Sequence, residues 1–236
     1  MASIAENILQ VRGRIASACG AFHRLPAAVN LLAVSKTCPG VSVREAFEAG
    51  QRDFGENYVQ EALAKIAELD DLRAQLRWHL IGPLQSNKAR EVATHFDWVH
   101  GVDRMKLAQR LSDLRPPELP PLQVCLQINV SGEDSKSGVA PEAALGLARA
   151  VATLPRLKLR GLMAIPEPAG DLAAQRAPHR TLRKLLEAMN AEGLGLDTLS
   201  IGMSADLEAA IAEGATWVRI GTAIFGARAA KQDPAS

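Results

Sequence analysis

The chain has 236 residues, of which 47% are hydrophobic and 22% charged, a balance that suits a compact folded protein and argues against disorder. With 27 basic and 26 acidic residues the net charge is +1, which leaves no electrostatic footprint for nucleic acid and no basic run for a membrane surface. Cys19, Cys38 and Cys125 are an odd number at unrelated spacings, and so suggest neither a disulfide framework nor a zinc cluster. The N-terminal MASIAENILQ has an early glutamate and no basic segment ahead of an apolar core, and no apolar run reaches the ~18 residues of a membrane span. The expectation is a monomeric cytoplasmic protein whose partners are small molecules rather than nucleic acid or membrane.

Ser3 to Glu6 read as a capping box, and Ile4, Ile8, Val11 and Ile15 recur at helical spacing, which predicts an amphipathic helix ahead of the first strand. LLAVSKTCPG (31–40) follows, an apolar run without alternation that ends in Lys36 and is closed by Pro39-Gly40. Such a run suits a strand covered on both faces, as in parallel sheets flanked by helices. An ammonium at its mouth is costly, and desolvation favours the neutral amine, the form that attacks an aldehyde and holds pyridoxal phosphate as a Schiff base. A lysine that snorkels out of a strand end is the plainer reading of the same residues.

Ser42-Val43-Arg44-Glu45 reads as a second capping box whose helix stops at Gly50, and Arg52 to Gly55 as a short strand. The alternation continues with a helix from Asn57 to Leu69, strand 77–82, a helix near 86–94, strand 97–102 and a helix near 104–113. Beyond the turn RPPELPP come strand 123–130, a helix near 141–153, strand 158–165 and a long helix near 171–192. Strands 198–203 and 216–221 finish the series, separated by a helix in which Leu207, Ala210 and Ile211 share a face.

Eight strand-helix units in this length are what a (β/α)8 TIM barrel requires, with the N-terminal helix as an addition. A doubly wound open sheet is the alternative, weakened because the first strand-to-helix turn, SKTCPGVS, lacks the GxGxxG of a dinucleotide site. EAFEAGQRDFG and AAIAEGATWVRIG echo one another: each is a helix end, a glycine stop and a strand ending in glycine. No linker divides the chain, so residues 1–228 read as one domain and 229–236 as a loose tail.

In such a barrel functional groups gather at the carboxyl ends of the strands, with phosphates favoured at the loops after strands seven and eight. Ser204 is placed to cap the helix after strand seven, and Gly221-Thr222 ends strand eight with close backbone access and a hydroxyl. Each also reads as ordinary capping. Arg219 lies two residues before Gly221 and points to the barrel centre, where a ligand ring nitrogen or an internal carboxylate could meet it. Asn57 is equally a ligand contact and a helix cap. His79 reads as a satisfied structural histidine, Cys38 as a small loop residue or a reactive thiol, and Lys136 as part of a polar loop bordering the site. The five histidines offer no HExxH and no paired ligands at a strand end, which disfavours a metal.

Taken together, AVSKT at Lys36, FGENYVQE from Phe54, WHLIGPLQSNK from Trp78, INVSGEDSKSG from Ile128, GLMAIP from Gly161, LSIGMSADLEAAI from Leu199 and VRIGTAIFG from Val218 resemble, in order, the pyridoxal phosphate homeostasis proteins of the YggS/PROSC type. The resemblance covers the chain almost end to end. It implies a single barrel like the N-terminal domain of alanine racemase, a pyridoxal phosphate enzyme of fold type III, with pyridoxal 5′-phosphate as cofactor and Lys36 as its Schiff-base lysine. It further implies a phosphate cradle of Ser200, Ser204, Gly221 and Thr222, with Met203 and Asn57 lining the ring and Arg219 near its pyridine nitrogen. Leu80 and an Ala- and Pro-bearing insert near 167–178 depart from the family pattern without touching that cradle.

Racemisation needs proton donors and acceptors on both faces of the bound amino acid. In the related racemases a tyrosine from a second domain serves one face; here Tyr58 is the only tyrosine. The expectation is therefore a non-catalytic carrier that buffers pyridoxal phosphate or delivers it to apo-enzymes that depend on it, with no catalytic residue. The alternatives are a one-domain racemase or related enzyme using His79 or Cys38 as second base, and a phosphosugar isomerase that leaves Lys36 without a special role.

Overall fold

The structure, a computed structural model, describes residues 2–132 and 137–226; Lys136 and the tail after Arg228 lie outside the described residues. Eight parallel strands close in sequence order: β1 (Asn30–Val34), β2 (Asp53–Glu56), β3 (Arg77–Leu80), β4 (Trp98–Val102), β5 (Leu122–Gln127), β6 (Leu157–Met163), β7 (Thr198–Ser200) and β8 (Trp217–Ile220). The expected barrel is the fold, because β8 pairs with β1 from Asn30–Trp217 to Ala33–Ile220, and an open doubly wound sheet has no such pair. Closure leaves no strand edge to solvent.

The period of two along each strand divides the core into two layers. Residues facing outward, such as Phe54, Val99, Leu126, Leu162, Leu199 and Val218, pack under the ring of helices. That ring comprises α2 (Gly40–Glu48), α3 (Val59–Glu68), α4 (Ala89–His95), α5 (Met105–Leu114), α6 (Pro141–Ala152), α7 (Leu172–Ala191), α8 (Leu207–Ala212) and the short α9 (Thr222–Phe225). The inward layer is smaller and mixed: Leu32, Val34, Ile81, Trp98, Cys125, Met163 and Trp217 pack together around buried polar groups. Among the described residues no helix is long and apolar enough to cross a membrane.

The added helix, α1 (Ile4–Ala21), starts at the expected capping box, with the Glu6 N–H donating to Ser3 Oγ at 3.2 Å and the Ser3 N–H to Glu6 Oε2 at 2.7 Å. Ile8, Val11 and Ile15 are buried, each contributing roughly 1.5–3 kcal/mol by leaving water. They seat α1 against α2, α8 and α9, where Asn7 Nδ2 donates to Ile224 O at 2.8 Å and pins α9 in place.

Three caps expected from the sequence are absent. Helix α2 begins at Gly40 directly after Pro39, so Ser42 and Glu45 lie inside it and form no capping box. Pro39 can stand at this entrance because a residue there has no intrahelical bond to lose. Tyr58, not Asn57, precedes α3, and Asp206, not Ser204, precedes α8. Strand β7 stops at Ser200 rather than Met203 because Gly202 takes φ +90°, in the left-handed region. A Cβ at Gly202 would also lie 2.5 Å from Ala210 Cβ, so only glycine lets α8 pack this closely. The internal echo is physical: Gly50 (φ +85°) and Gly214 (φ +96°) terminate α2 and α8 in the same way.

Candidate functional site

A cavity of about 320 Å³ opens at the carboxyl end of the barrel, at the lower end of the volumes usual for small-molecule sites. Lys36 enters it from beyond β1, Asn57 from beyond β2, Met203 and Ser204 from beyond β7, and Arg219, Gly221 and Thr222 from β8 and its end. Residues up to 186 positions apart thus share one wall only because β8 closes against β1. Ser200 is the exception. It is fully buried beneath the cavity, where its Oγ lies 2.8 Å from His100 Nδ1 and accepts from Arg219 Nη1 at 3.0 Å, so it is a support for Arg219 and not part of a lining cradle.

The turn carrying Lys36 is held from α3. The Ser35 N–H donates to Gly55 O at 3.0 Å and Cys38 N–H to Ser35 O at 3.0 Å, which bends the chain sharply past β1. Thr37 takes φ +65°, uncommon for a β-branched residue, and its N–H donates to Glu61 Oε1. Lys65 Nζ donates to Ser35 O at 2.6 Å, Glu56 Oε1 at 2.8 Å and Glu61 Oε1 at 2.7 Å, while Ser35 Oγ donates to Glu56 Oε1 at 2.6 Å. Both chain neighbours of Lys36 are therefore tied to one buried ion cluster. Burial pushes the Glu56 carboxyl up, against the opposing pull of Lys65 and the Ser35 hydroxyl. A buried pair of this kind adds little net stability, yet removing one partner is costly.

Across the cavity, Asp206 Oδ1 accepts from the Met203 N–H at 2.7 Å and Asp206 Oδ2 lies 2.9 Å from His179 Nε2, which shapes the turn that presents Ser204 and Ala205. Thr222 opens the single turn of α9, and its N–H and that of Ala223 precede the first backbone bonds of the turn, from the Ile224 and Phe225 N–H groups to Gly221 O. Beneath these, Arg219 is buried, and its Nη1 and Nη2 donate to the carbonyls of Ser200 and Ala164, the latter at 2.9 Å. Burial brings its guanidinium down to about 10, partly offset by the charge of Asp206, so it remains a cation at neutral pH. No internal carboxylate contacts it among the described residues.

Two observations indicate what the cavity accepts. Asn57 Oδ1 is buried with no partner, and a buried amide oxygen at a cavity wall calls for a ligand hydroxyl. Its backbone position depends on Gly82, where a Cβ would lie 2.4 Å from Asn57 O. The remaining donor set is an amine, two hydroxyls, a guanidinium and the apolar walls Val34, Ile81 and Ile165. An aromatic, hydroxyl-bearing aldehyde with an anionic tail fits that set, as pyridoxal phosphate does.

Sequence reasoning missed Ile81, Ile165, Ala205 and Phe225 as lining residues, although all four stand in the quoted motifs. Cys38 does line the cavity, with its thiol 3.7 Å from Lys36 O. His79 does not: it is fully buried in the barrel interior with both ring nitrogens engaged, the structural histidine the sequence suggests.

The chain matches the family described as alanine racemase, N-terminal domain, over residues 2–229. It is 66% identical over 228 residues to the pyridoxal phosphate homeostasis protein of Pseudomonas aeruginosa, covering 97% of each chain. The structure of PipY from Synechococcus elongatus with pyridoxal phosphate bound superposes with a TM-score of 0.82 at 40% identity, over 95% of this chain and all of that one. Alanine racemase from Corynebacterium glutamicum shares the fold at 16% identity and a TM-score of 0.69, over 98% of this chain and 62% of that one.

Proposed function

The chain belongs to the pyridoxal phosphate homeostasis protein family, on the barrel of the alanine racemase N-terminal domain, and from that premise we propose that it holds pyridoxal 5′-phosphate in the carboxyl-end cavity as a Schiff base on Lys36, without sustained catalysis. The observation that carries this reading is the orphaned Asn57 oxygen in the same cavity as Lys36, Ser204 and Thr222. In this reading residues 1–228 form one binding unit, a monomeric cytoplasmic buffer that keeps a reactive aldehyde out of solution and delivers it to apo-enzymes.

Each residue has a task that its position supports. Lys36 supplies the amine. Ser204, Thr222, Gly221 and the first turn of α9 bind the anionic tail through hydroxyl and backbone N–H donors. Asn57 and Met203 line the ring, and Val34 and Ile81 exclude water from its inner face. When bound, the cofactor supplies an electron sink for charge at an attached carbon. Arg219 limits that sink, because a cation near the pyridine nitrogen opposes its protonation.

Proton management is the other support for a carrier. Tyr58 is 60% exposed and stands outside the lining, and His79 lies in the barrel interior with both nitrogens occupied. Cys38 is the lining group an enzyme reading would need as second base, and it is the specific observation that keeps that reading alive. Borohydride reduction of the loaded protein followed by peptide mass spectrometry tests the attachment: the reduced cofactor is expected on Lys36, and a label on another lysine overturns the assignment. Incubation of the loaded protein with L-alanine in deuterium oxide tests the carrier: slow α-proton exchange with retained chirality is expected, and rapid exchange abolished by Cys38→Ala would establish an enzyme.

A further inference from the structure

A line of polar side chains runs through the barrel from its amino end to the cavity. Arg77 Nε and Nη2 each donate to Asp53 at 2.6 Å. Asp53 Oδ1 lies 3.1 Å from His79 Nε2, His79 Nδ1 lies 3.0 Å from His100 Nε2, and His100 Nδ1 lies 2.8 Å from Ser200 Oγ. Ser200 Oγ in turn accepts from Arg219 Nη1 at 3.0 Å, and Arg219 lines the cavity.

Chemistry decides the direction of every link. Burial pushes the Asp53 carboxyl up, but the bonds from His79 and Arg77 outweigh it and hold Asp53 below the usual carboxylate range, so it only accepts. His79 Nε2 therefore carries its proton. Complete burial lowers both imidazoles, that of His100 well below the ordinary value, so each ring is neutral with a single N–H. His79 Nδ1 is then bare and accepts from His100 Nε2–H. His100 Nδ1 is bare in turn and accepts the Ser200 hydroxyl proton, which leaves the Ser200 lone pairs for Arg219. Every bond points from guanidinium to carboxylate. His79 is packed between two indoles: it stacks on Trp98 with centroids 5.4 Å apart and planes 7° apart, and Trp217 lies 5.0 Å away.

We propose that Asp53, His79, His100 and Ser200 are positioning residues for Arg219: their one-way chain fixes the guanidinium and passes negative charge toward it, so the amino end of the barrel sets the electrostatics of the ligand site. Arg219 needs such a device because its own acceptors are two carbonyls and one hydroxyl, with Asp206 acting only at longer range. An apolar interior would be at least as stable, whereas a fully satisfied polar chain specifies one orientation. The proposal rests on the cavity being the pyridoxal phosphate site.

The test uses Asp53→Asn, which keeps the shape and one acceptor oxygen but removes the charge, together with Ser200→Ala, which removes a middle link. Val124→Ala, a buried position outside the chain, is the control for simple loss of stability. In the ligand-free protein, nitrogen-15 spectra of the imidazoles are expected to show the Nε2–H form at both His79 and His100, and Asp53→Asn to disturb His100 as well as His79. In the loaded protein, both relay variants are expected to shift the cofactor absorbance and weaken its retention by about threefold to tenfold, the scale of one weakened charge-assisted bond. Val124→Ala should lower the melting temperature alone. An Nδ1–H form at either histidine, or relay variants that behave like Val124→Ala, would overturn the relay. Should Asp53→Asn not fold, Ser200→Ala decides the same question. Wild-type protein that takes up no pyridoxal phosphate would overturn the functional reading, while the ligand-free imidazole spectra still decide the relay.

Discussion

The two ends of the barrel treat charge in opposite ways. At the amino end two arginines meet carboxylates head on: Arg77 takes both oxygens of Asp53, and Arg160 takes both oxygens of Asp197 while lying 5.0 Å over the Trp98 ring. At the carboxyl end Arg219 is backed by carbonyls and a hydroxyl, and Asn57 Oδ1 has no partner at all. Charges that cancel internally stabilise a fold and offer nothing to a ligand. Groups left short of partners cost stability, and a bound molecule repays it. The ion cluster of Glu56, Glu61 and Lys65 stands between these cases: its charges pair internally through Glu56 Oε1 and Glu61 Oε1 while Glu56 Oε2 is left without a partner, and it holds the turn that carries Lys36.

That contrast can be broken most directly at Lys36. Lys36→Ala is expected to abolish covalent attachment entirely while circular dichroism and the melting temperature stay close to wild type; persistence of a borohydride-stable adduct would move the site elsewhere. Next in size is the anion wall. Replacing Ser204 and Thr222 together with alanine should weaken cofactor retention, each lost bond to a charged phosphate being worth about 1.5–3 kcal/mol before compensation. Equilibrium dialysis checks this, and unchanged retention would place the anionic tail away from α9.

Lys65→Met attacks stability and positioning at once. It strands the buried Glu56 carboxylate, at a cost of about 3–5 kcal/mol, or on the order of 10 °C in melting temperature for a chain of this size. A melting curve equal to wild type would mean that Glu56 takes up a proton at little cost.

A smaller effect separates the barrel interior from its rim through pH. His79 and His100 are lowered by burial, so the unfolded chain takes up protons below its ordinary imidazole value of about 6.5 while the folded chain does not. Stability from these two groups is thus fully present above that pH and is lost as pH falls below it. Melting temperature should be flat near neutrality and decline between about pH 6.5 and 5, and a flat profile through that window would show that the imidazoles titrate alike in both states. The smallest change is expected from Arg160→Gln at the amino rim. Its pair with the half-exposed Asp197 is worth about 0–1 kcal/mol, and cofactor retention should not respond.

Much of this architecture is legible along the chain because it is encoded locally. Apolar runs of strand length, glycine stops at Gly50 and Gly214, and a capping box at Ser3 each depend on neighbours within a few residues, and eight such units in order leave a closed barrel as the economical arrangement. Lys36, Ser204 and Thr222 are visible for the same reason, since strand ends in this fold face one side. Caps were less legible: Ser42, Asn57 and Ser204 have the right chemistry for a helix start, but Pro39 and the packing of α3 and α8 moved each boundary by a residue or more.

What the sequence determined by itself is therefore the order of elements, the inward side of Arg219, and, through the fold, the end of the barrel at which functional groups gather. It also placed His79 and His100 within strands, with His79 as a structural histidine. Which inward residues meet was decided only by the tertiary structure. His79, His100 and Ser200 come from β3, β4 and β7, and their contact depends on the shear with which eight strands close, a quantity set by the whole barrel and by no single segment. The same closure set Ser200 beneath the cavity lining, where its hydroxyl meets His100 and Arg219, because its side chain points inward one layer below the residues that line the cavity.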